Sequence, residues 1–235
     1  MRMIRHNPSS SHSARAKKKA QRGDNEESFG RRLDHILAAA TELIAREGYE
    51  KASMRAVASA ANVSLAGIYH YFDSKERMLF LIQFRTFTAL LNSLRERLCG
   101  AEDPFERFRI FVRNHVDYFV ANMSTLKACS HELDSLTGPA FDEILQIRRD
   151  YYDLVRSIID RLMDTVAANS PLDRHIATMS LFGTLNWLYR WYDPRRGRSP
   201  TTLANQIIEQ FVRGVLEETP RGATPATDLP PPDFP

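Results

Sequence analysis

Residues 53–72 constrain this chain more than any other stretch, because they predict two short helices joined by a tight turn. Ser53 and Ser64 suit N-cap positions, where a serine hydroxyl accepts a free backbone N–H. Asn62 falls at the turn, and asparagine tolerates the positive φ that a sharp turn requires. The pattern predicts a helix-turn-helix whose second helix, Leu65 to about Phe72, can enter the major groove of DNA.

Six segments within residues 30–90 carry a family pattern: Ile36–Ala40, Glu47–Tyr49, Ser53–Ala58, Val63–Ser64, Ile68–Phe72 and Ser74–Glu76. In residue type, order and spacing they resemble the TetR family of bacterial transcriptional regulators. The resemblance implies an all-α fold, with an N-terminal three-helix DNA-binding domain and a larger C-terminal helical domain for ligand binding and dimerisation. It also implies three partners: an operator in double-stranded DNA, a small-molecule effector and a second copy of the chain. It implies no cofactor.

Apolar periodicity places the remaining helices. They are expected at about 31–46, 75–98, 105–123, 125–136, 141–167, 172–192 and 200–217. The predicted domains are a basic arm at 1–29, a DNA-binding domain at 30–90, a regulatory domain at 91–218 and a Pro-rich tail at 219–235.

The N-terminal arm has no apolar periodicity and is expected to be disordered. Seven Lys/Arg and no Asp/Glu lie within residues 1–23, so the remaining residues sum to −4 against +3 for the whole chain. Two interpretations stay open: a solvated tail, or an arm that grips the DNA backbone.

The candidate DNA-binding residues are Ser53, Arg55, Ser64, Leu65, Ala66, Gly67, Tyr69, His70, Tyr71 and Lys75. The resemblance implies phosphate contacts by Tyr69, Tyr71 and Lys75. Arg55 is the long donor on the first of the two helices. Few base donors are available, which favours partial recognition through DNA shape. The alternative for the tyrosines is packing against the first helix.

Two further sets of residues are candidates in the regulatory domain. A ligand pocket is expected at Phe111, His115, Phe119, Tyr152 and Asn186, and a dimer interface at Gly183, Trp187, Trp191 and Phe211. Plain core packing is the alternative for both sets, and His115 could be an ordinary buried histidine. Trp187, Leu188, Trp191 and Tyr192 cannot all face one core from a single helix, which favours an interface between copies.

Several functional classes find no support in the sequence. No Gly-rich phosphate loop, Gly-x-Ser-x-Gly or Cys/His nucleophile spacing occurs, so an enzyme is not expected. Cys99 and Cys129 suit free thiols in a reducing compartment. His131, Glu132 and Asp134 lack a second ligand pair, so no metal site is expected. With no membrane-length apolar run and no secretory signal, a cytoplasmic protein that joins the nucleoid when DNA-bound is expected.

These features predict a repressor that a small hydrophobic ligand releases from a palindromic operator. Residues 187–194 resemble a branch of the family that senses fatty acyl-CoA or related thioesters. The alternative is a ligand-independent DNA-binding or architectural protein. A helical protein-interaction module would be a third class, and it would show no salt-dependent DNA affinity.

Overall fold

A computed structural model describes residues 9–216 except 167, 169–171 and 197, with side chains from residue 27 onward apart from 166, 215 and 216. The described residues form helices and no strand. The helices are α1 (Ser9–Glu47), α2 (Met54–Ala60), α3 (Leu65–Tyr69), α4 (Lys75–Arg97), α5 (Pro104–Ala121), α6 (Met123–His131), α7 (Gly138–Val166), α8 (Arg174–Asn186), α9 (Leu188–Trp191) and α10 (Pro200–Leu216). A 3-10 turn at Pro194–Arg196 precedes α10.

Helix α1 begins earlier than the sequence predicted. Its backbone is helical from Ser9, whereas a start near Arg31 was expected and residues 9–29 were expected to be disordered. The physical reason is intrinsic propensity: residues 14–22 consist only of Ala, Lys, Arg and Gln, which favour a helix without needing an apolar stripe. Residues 1–8 of the predicted arm and the whole 219–235 tail lie outside the described residues.

Two other predicted helices are shorter in the structure. The expected 172–192 helix ends at Asn186, and the chain turns at Trp187 before the short helix α9. At this turn Trp187 is exposed and Leu188 is buried. Helix α6 ends at His131 instead of about residue 136.

The chain divides into two compact units, and the division differs from the predicted domain boundary. One unit holds the residues up to Ala89 together with Asn122–Arg149, and the other holds Leu90–Ala121 with the residues from Asp150 onward. Helix α6 packs on α1, and Ala128, Leu136 and Ile144 belong to the same apolar core as the first four helices. The sequence showed which positions are apolar but not that this later segment joins the first core.

The second unit centres on the packing of α5 against α10. The rings of Phe108 and Phe211 lie 5.0 Å apart between these helices. Asn114 is buried there and donates to the Leu90 carbonyl at 3.3 Å, while its Oδ1 accepts from the Ser93 hydroxyl at 2.7 Å. Pairing of this polar side chain removes the cost of burying it among apolar residues.

Candidate nucleic-acid interface and buried aromatic cluster

The helix-turn-helix forms as the sequence predicts. The Ser53 hydroxyl accepts the Ala56 N–H at 3.1 Å, and the Ser64 hydroxyl accepts the Gly67 N–H at 3.0 Å. Asn62 has φ 51°, the left-handed conformation expected at the turn. Helix α3 ends at Tyr69, slightly before the predicted end near Phe72. Local hydrogen bonds therefore define the geometry of the two helices.

The predicted DNA-binding residues lie on one stretch with graded exposure. Ser53, Arg55, Ser64, Ala66, Tyr69 and His70 are exposed, whereas Leu65, Gly67, Tyr71 and Lys75 are partly buried. Tyr69 is 53% exposed, whereas Tyr71 is partly buried and stacks on Phe29 of α1, so the alternative of packing against the first helix holds for Tyr71. Their contacts with DNA remain predictions.

Lys75 has a structural partner in the absence of DNA. Its Nζ donates to the carbonyl oxygens of Tyr49 at 3.1 Å and Glu50 at 3.4 Å, and lies 4.1 Å from the centroid of the Tyr49 ring. An ammonium group has three donors, so these contacts do not exhaust its capacity. The side chain thus ties the start of α4 to the turn before α2.

Phe29 belongs to this surface, although the sequence reasoning placed it in the arm. Its ring stacks on Tyr71, with centroids 4.6 Å apart, and meets the His70 ring edge-on at 6.0 Å. A signal was present, because Phe29 lies one helical turn ahead of Leu33 in the apolar stripe of α1.

A groove of about 470 Å³ lies between the middle of α1 and α3. Its lining residues are Ser28, Phe29, Arg32, Val63, Ser64, Gly67, His70 and Tyr71. Within the described part of this unit, no ion pair joins Arg32 or Arg55 to a carboxylate. Arginine side chains without a carboxylate partner can neutralise the phosphates of a DNA backbone, and neighbouring polar groups can hydrogen-bond to them.

The second unit contains a buried aromatic cluster around His115. We define it as Phe111, His115, Phe119, Tyr151 and Phe182, contributed by α5, α7 and α8. The His115 ring lies 4.8 Å from Phe119, 6.0 Å from Tyr151 and 6.2 Å from Phe182, measured between centroids. The predicted ligand pocket includes the three α5 members but not Tyr151 or Phe182.

His115 is the polar centre of the aromatic cluster and is 2% exposed. Its Nδ1 lies 3.1 Å from the Tyr151 hydroxyl, whereas its buried Nε2 has no hydrogen-bond partner. Burial lowers the pKa of His115 to about 3, and a side-chain interaction of hydrogen-bond type with Asn186 opposes this shift, although no contact of regular hydrogen-bond geometry forms at Nε2. The imidazole is therefore neutral near pH 7, with one ring nitrogen unsatisfied.

The other two predicted pocket residues lie beside the aromatic cluster. Tyr152 is partly exposed and stacks on Phe182 with centroids 6.2 Å apart, while its hydroxyl lies 2.6 Å from His175 Nδ1. Asn186 is close enough to His115 to influence its pKa. The structure thus brings all five predicted pocket residues to one region, and their contact with a ligand remains a prediction.

The predicted dimer-interface residues are distributed over α8, α9 and α10. Trp187 and Trp191 are 52% and 54% exposed, whereas Leu188 and Tyr192 are buried, as the sequence pattern required. No heavy atom lies within 4 Å of a Cβ built on Gly183, and Phe211 is half-buried against Phe108.

A groove of about 260 Å³ between α8 and α10 extends this face. Its rim includes the exposed apolar side chains of Leu172 and Ile176. Among the described residues, no group of three His, Cys, Asp or Glu side chains could hold a metal ion. No helix in that part of the chain is long and apolar enough to span a bilayer.

Comparison with known proteins identifies two matching family models. One, described as "Bacterial regulatory proteins, tetR family", matches residues 36–82, and the other, "Tetracyclin repressor-like, C-terminal domain", matches residues 101–215. The first covers α2, α3 and parts of α1 and α4, and the second covers the helices that carry the aromatic cluster.

Three individual proteins illustrate the similarity. The HTH-type transcriptional repressor KstR2 of Rhodococcus jostii is 25% identical over 187 residues, which are 79% of this chain and 91% of that protein. A TetR-family regulator from Bordetella parapertussis is 30% identical with a TM-score of 0.71, over 77% of this chain and 93% of that one. AibR, solved in complex with isovaleryl coenzyme A and operator DNA, is 26% identical with a TM-score of 0.67, over 79% and 98% of the two chains.

The capped helix-turn-helix lies within the first matched range, and the aromatic cluster lies within the second. The protein belongs to the TetR family and is a DNA-binding transcriptional regulator.

Proposed function

We propose that the protein is a repressor that binds a palindromic operator as a homodimer and dissociates when an acyl-CoA thioester occupies the aromatic cluster. The observation that carries the effector assignment is the buried, unpaired Nε2 of His115 within a neutral aromatic site. A hydrogen bond from this atom to a ligand would be favourable, because an unsatisfied buried polar group costs about 1–3 kcal/mol of stability.

The chemistry of the site favours a thioester over a free acid. Burial raises the pKa of Tyr151, so its hydroxyl keeps its proton and can donate to His115 Nδ1, which leaves Nε2–H as a donor. A thioester carbonyl is a neutral acceptor for that donor. A carboxylate would have to lose its hydration beside side chains that carry no charge. AibR, a relative solved with isovaleryl coenzyme A, supports the same effector class.

The dimer assignment rests on the face formed by α8, α9 and α10. Ile176, Met179, Trp187 and Trp191 expose large apolar side chains there. Such a patch usually marks an interface, and a two-fold dimer matches the two halves of a palindrome. The effector would favour a state in which α4 turns the α3 helices of the two protomers away from successive major grooves, about 34 Å apart.

On the DNA side, we propose that α3 enters the major groove, with Tyr69, Tyr71 and Lys75 on phosphates and Arg55 on a base or phosphate. The exposed N-terminal half of α3 is small, which suits close approach of its backbone to the bases. The relatives, which are named as regulators and in one case solved with an effector, do not favour the ligand-independent alternative.

The test combines operator selection with effector titration. Genomic fragments bound by the protein are sequenced to find the operator, and its affinity is then measured by fluorescence anisotropy with isovaleryl-CoA, decanoyl-CoA and the two free acids. We expect a palindrome, and weaker operator binding with a thioester than with its acid. A motif without any thioester effect would contradict the effector assignment, and enrichment without a motif would contradict the regulator mechanism.

His115→Phe provides the matched variant, because it keeps an aromatic ring and removes Nε2. It should bind the operator normally and lose most of the thioester response. Phe105→Leu, at the exposed start of the same helix, serves as the control and should respond like the wild type.

A further inference from the structure

The connection between α6 and α7 is hydrogen-bonded to the turn that leads into α2. Glu132 Oε1 accepts the Tyr49 N–H at 3.2 Å, and Glu132 Oε2 accepts the Ser135 hydroxyl at 3.0 Å. The backbone carbonyl of Glu132 accepts from Gln83 Nε2 on α4 at 3.0 Å. One residue thus contacts two parts of the DNA-binding unit that lie far away in sequence.

A second carboxylate, on α4, also binds the connection between α6 and α7. Glu76, in the first turn of α4, accepts from both the backbone N–H and the hydroxyl of Thr137, each at 2.8 Å. Its neighbour Lys75 donates to the Tyr49 carbonyl. We call Glu132, Glu76 and the groups they bind, Tyr49 N–H, Ser135 and Thr137, the latch.

The two carboxylates of the latch differ in exposure: the hydrogen bonds of Glu132 are partly buried, whereas those of Glu76 to Thr137 are exposed. Tyr49, Gln83 and Leu136 are buried, and burial together with Glu76, Glu50 and Glu132 raises the pKa of Tyr49 to about 12. Loss of the Glu132 carboxylate would leave the Tyr49 N–H without its acceptor in the described structure. An unpaired buried donor is costly.

A displacement of Tyr49 would be transmitted directly to α2 and α3, which we call the reading helices. The Ala52 N–H donates to the Tyr49 carbonyl at 3.0 Å, and Ser53, the cap of α2, follows at once. The latch also ends where α7 begins, at Gly138, and α7 carries Tyr151 of the aromatic cluster. The latch therefore occupies the place where the orientation of α2 and α3 can be set.

We propose that Glu132 is a positioning residue for DNA binding, although it lies outside the DNA-binding family match at 36–82 and touches no candidate DNA contact. Its carboxylate, with Glu76, holds the α1–α2 turn in the geometry that binds the operator. Opening the latch lowers operator affinity. This inference rests on DNA binding by the family and not on the proposed effector.

Operator affinity of two Glu132 variants tests the proposal. Glu132→Ala should weaken binding about tenfold, the equivalent of one lost hydrogen bond, while Glu132→Gln keeps an oxygen acceptor and should restore most of the affinity. A charge effect alone has the opposite sign, because removing an acid from a DNA-binding unit strengthens attraction to phosphates. Equal or tighter binding by Glu132→Ala would overturn the proposal, as would a Gln variant as weak as the Ala variant.

Glu106→Ala is the matched control, since Glu106 is a partly exposed carboxylate on α5 with Arg109 3.7 Å away. It should keep wild-type affinity. All affinities are measured well below the melting temperature of each variant, so that a loss of folded protein does not imitate a loss of binding.

Amide hydrogen exchange gives a readout that does not depend on affinity. Glu132→Ala should speed exchange in residues 48–53 and leave α10 unchanged. In the wild-type protein, operator binding should slow amide exchange in residues 132–138, because the bound operator and the closed latch favour the same conformation of the α1–α2 turn. If operator binding leaves exchange in residues 132–138 unchanged, the latch does not position the reading helices.

Discussion

The reading helices and the aromatic cluster are built in opposite ways. Residues 53–72 form their geometry from hydrogen bonds between near neighbours and expose polar tips and small side chains. The aromatic cluster is largely buried, uncharged and assembled from three helices, with His115 and its partner Tyr151 lying 36 positions apart in the chain. A surface for a polyanion can be made locally, whereas a site that takes a ligand out of water must be enclosed by distant segments.

The largest expected effect is on the free energy of unfolding, when one aromatic residue from each region is replaced by alanine. Phe119→Ala should lower the free energy of unfolding by about 3–5 kcal/mol, because it opens a cavity in a packed core. Tyr69→Ala should change stability by less than about 0.5 kcal/mol, since the ring is mostly exposed. Chemical denaturation of both variants measures the difference, and operator titration should show the reverse order, with Tyr69→Ala binding more weakly than any stability loss explains.

Similar losses of stability in the Phe119 and Tyr69 variants would contradict this contrast between a buried and an exposed aromatic residue. That result would mean that Tyr69 is packed in solution. Tyr69→Phe separates the hydroxyl from the ring and should keep wild-type stability while losing operator affinity.

A smaller effect concerns the pH dependence of stability. The pKa of His115 is about 3 in the folded protein against an ordinary value of 6.5, so below pH 6.5 the unfolded chain binds a proton that the folded chain does not. Stability therefore falls as the pH falls, approaching about 1.4 kcal/mol per pH unit from this group. Denaturation at pH 7.5, 6.5 and 5.5 should show a shallower decline for His115→Phe than for the wild type. Identical slopes would place the histidine in contact with water.

The smallest effect tests how local the reading helices are. Ser64→Ala removes the acceptor of the Gly67 N–H and should cost about 1 kcal/mol, seen as faster exchange of the Gly67 amide and weaker operator binding. Ser59→Ala, an exposed position on α2, is the control and should change neither. If the Ser64 variant kept wild-type exchange at Gly67, tertiary packing alone would define α3.

The sequence predicted most where structure depends on adjacent residues. The two serine caps and the positive φ of Asn62 follow from short-range rules and are confirmed. The early start of α1 was missed because a helix can persist on propensity alone, without the apolar stripe that sequence reasoning relied on.

The rest required knowing which helices meet. An apolar stripe shows that α5 is buried, but nothing in it indicates that Tyr151 and Phe182 are the partners of His115. Glu132 resembles any surface carboxylate, and its bond to the Tyr49 N–H becomes visible only when residues 83 positions apart are placed together. The same limit explains why the sequence did not indicate that α6 and the start of α7 pack in the same compact unit as the first helices.

The exposed tryptophans have a practical consequence. Trp187 and Trp191 are the chain's two tryptophans, and both lie half in water on one short segment. Indole emission from the native protein therefore comes entirely from the face proposed to pair with a second copy. Dilution of the protein below the dimer dissociation constant should shift this emission to longer wavelength. Intrinsic fluorescence can therefore measure self-association without a label.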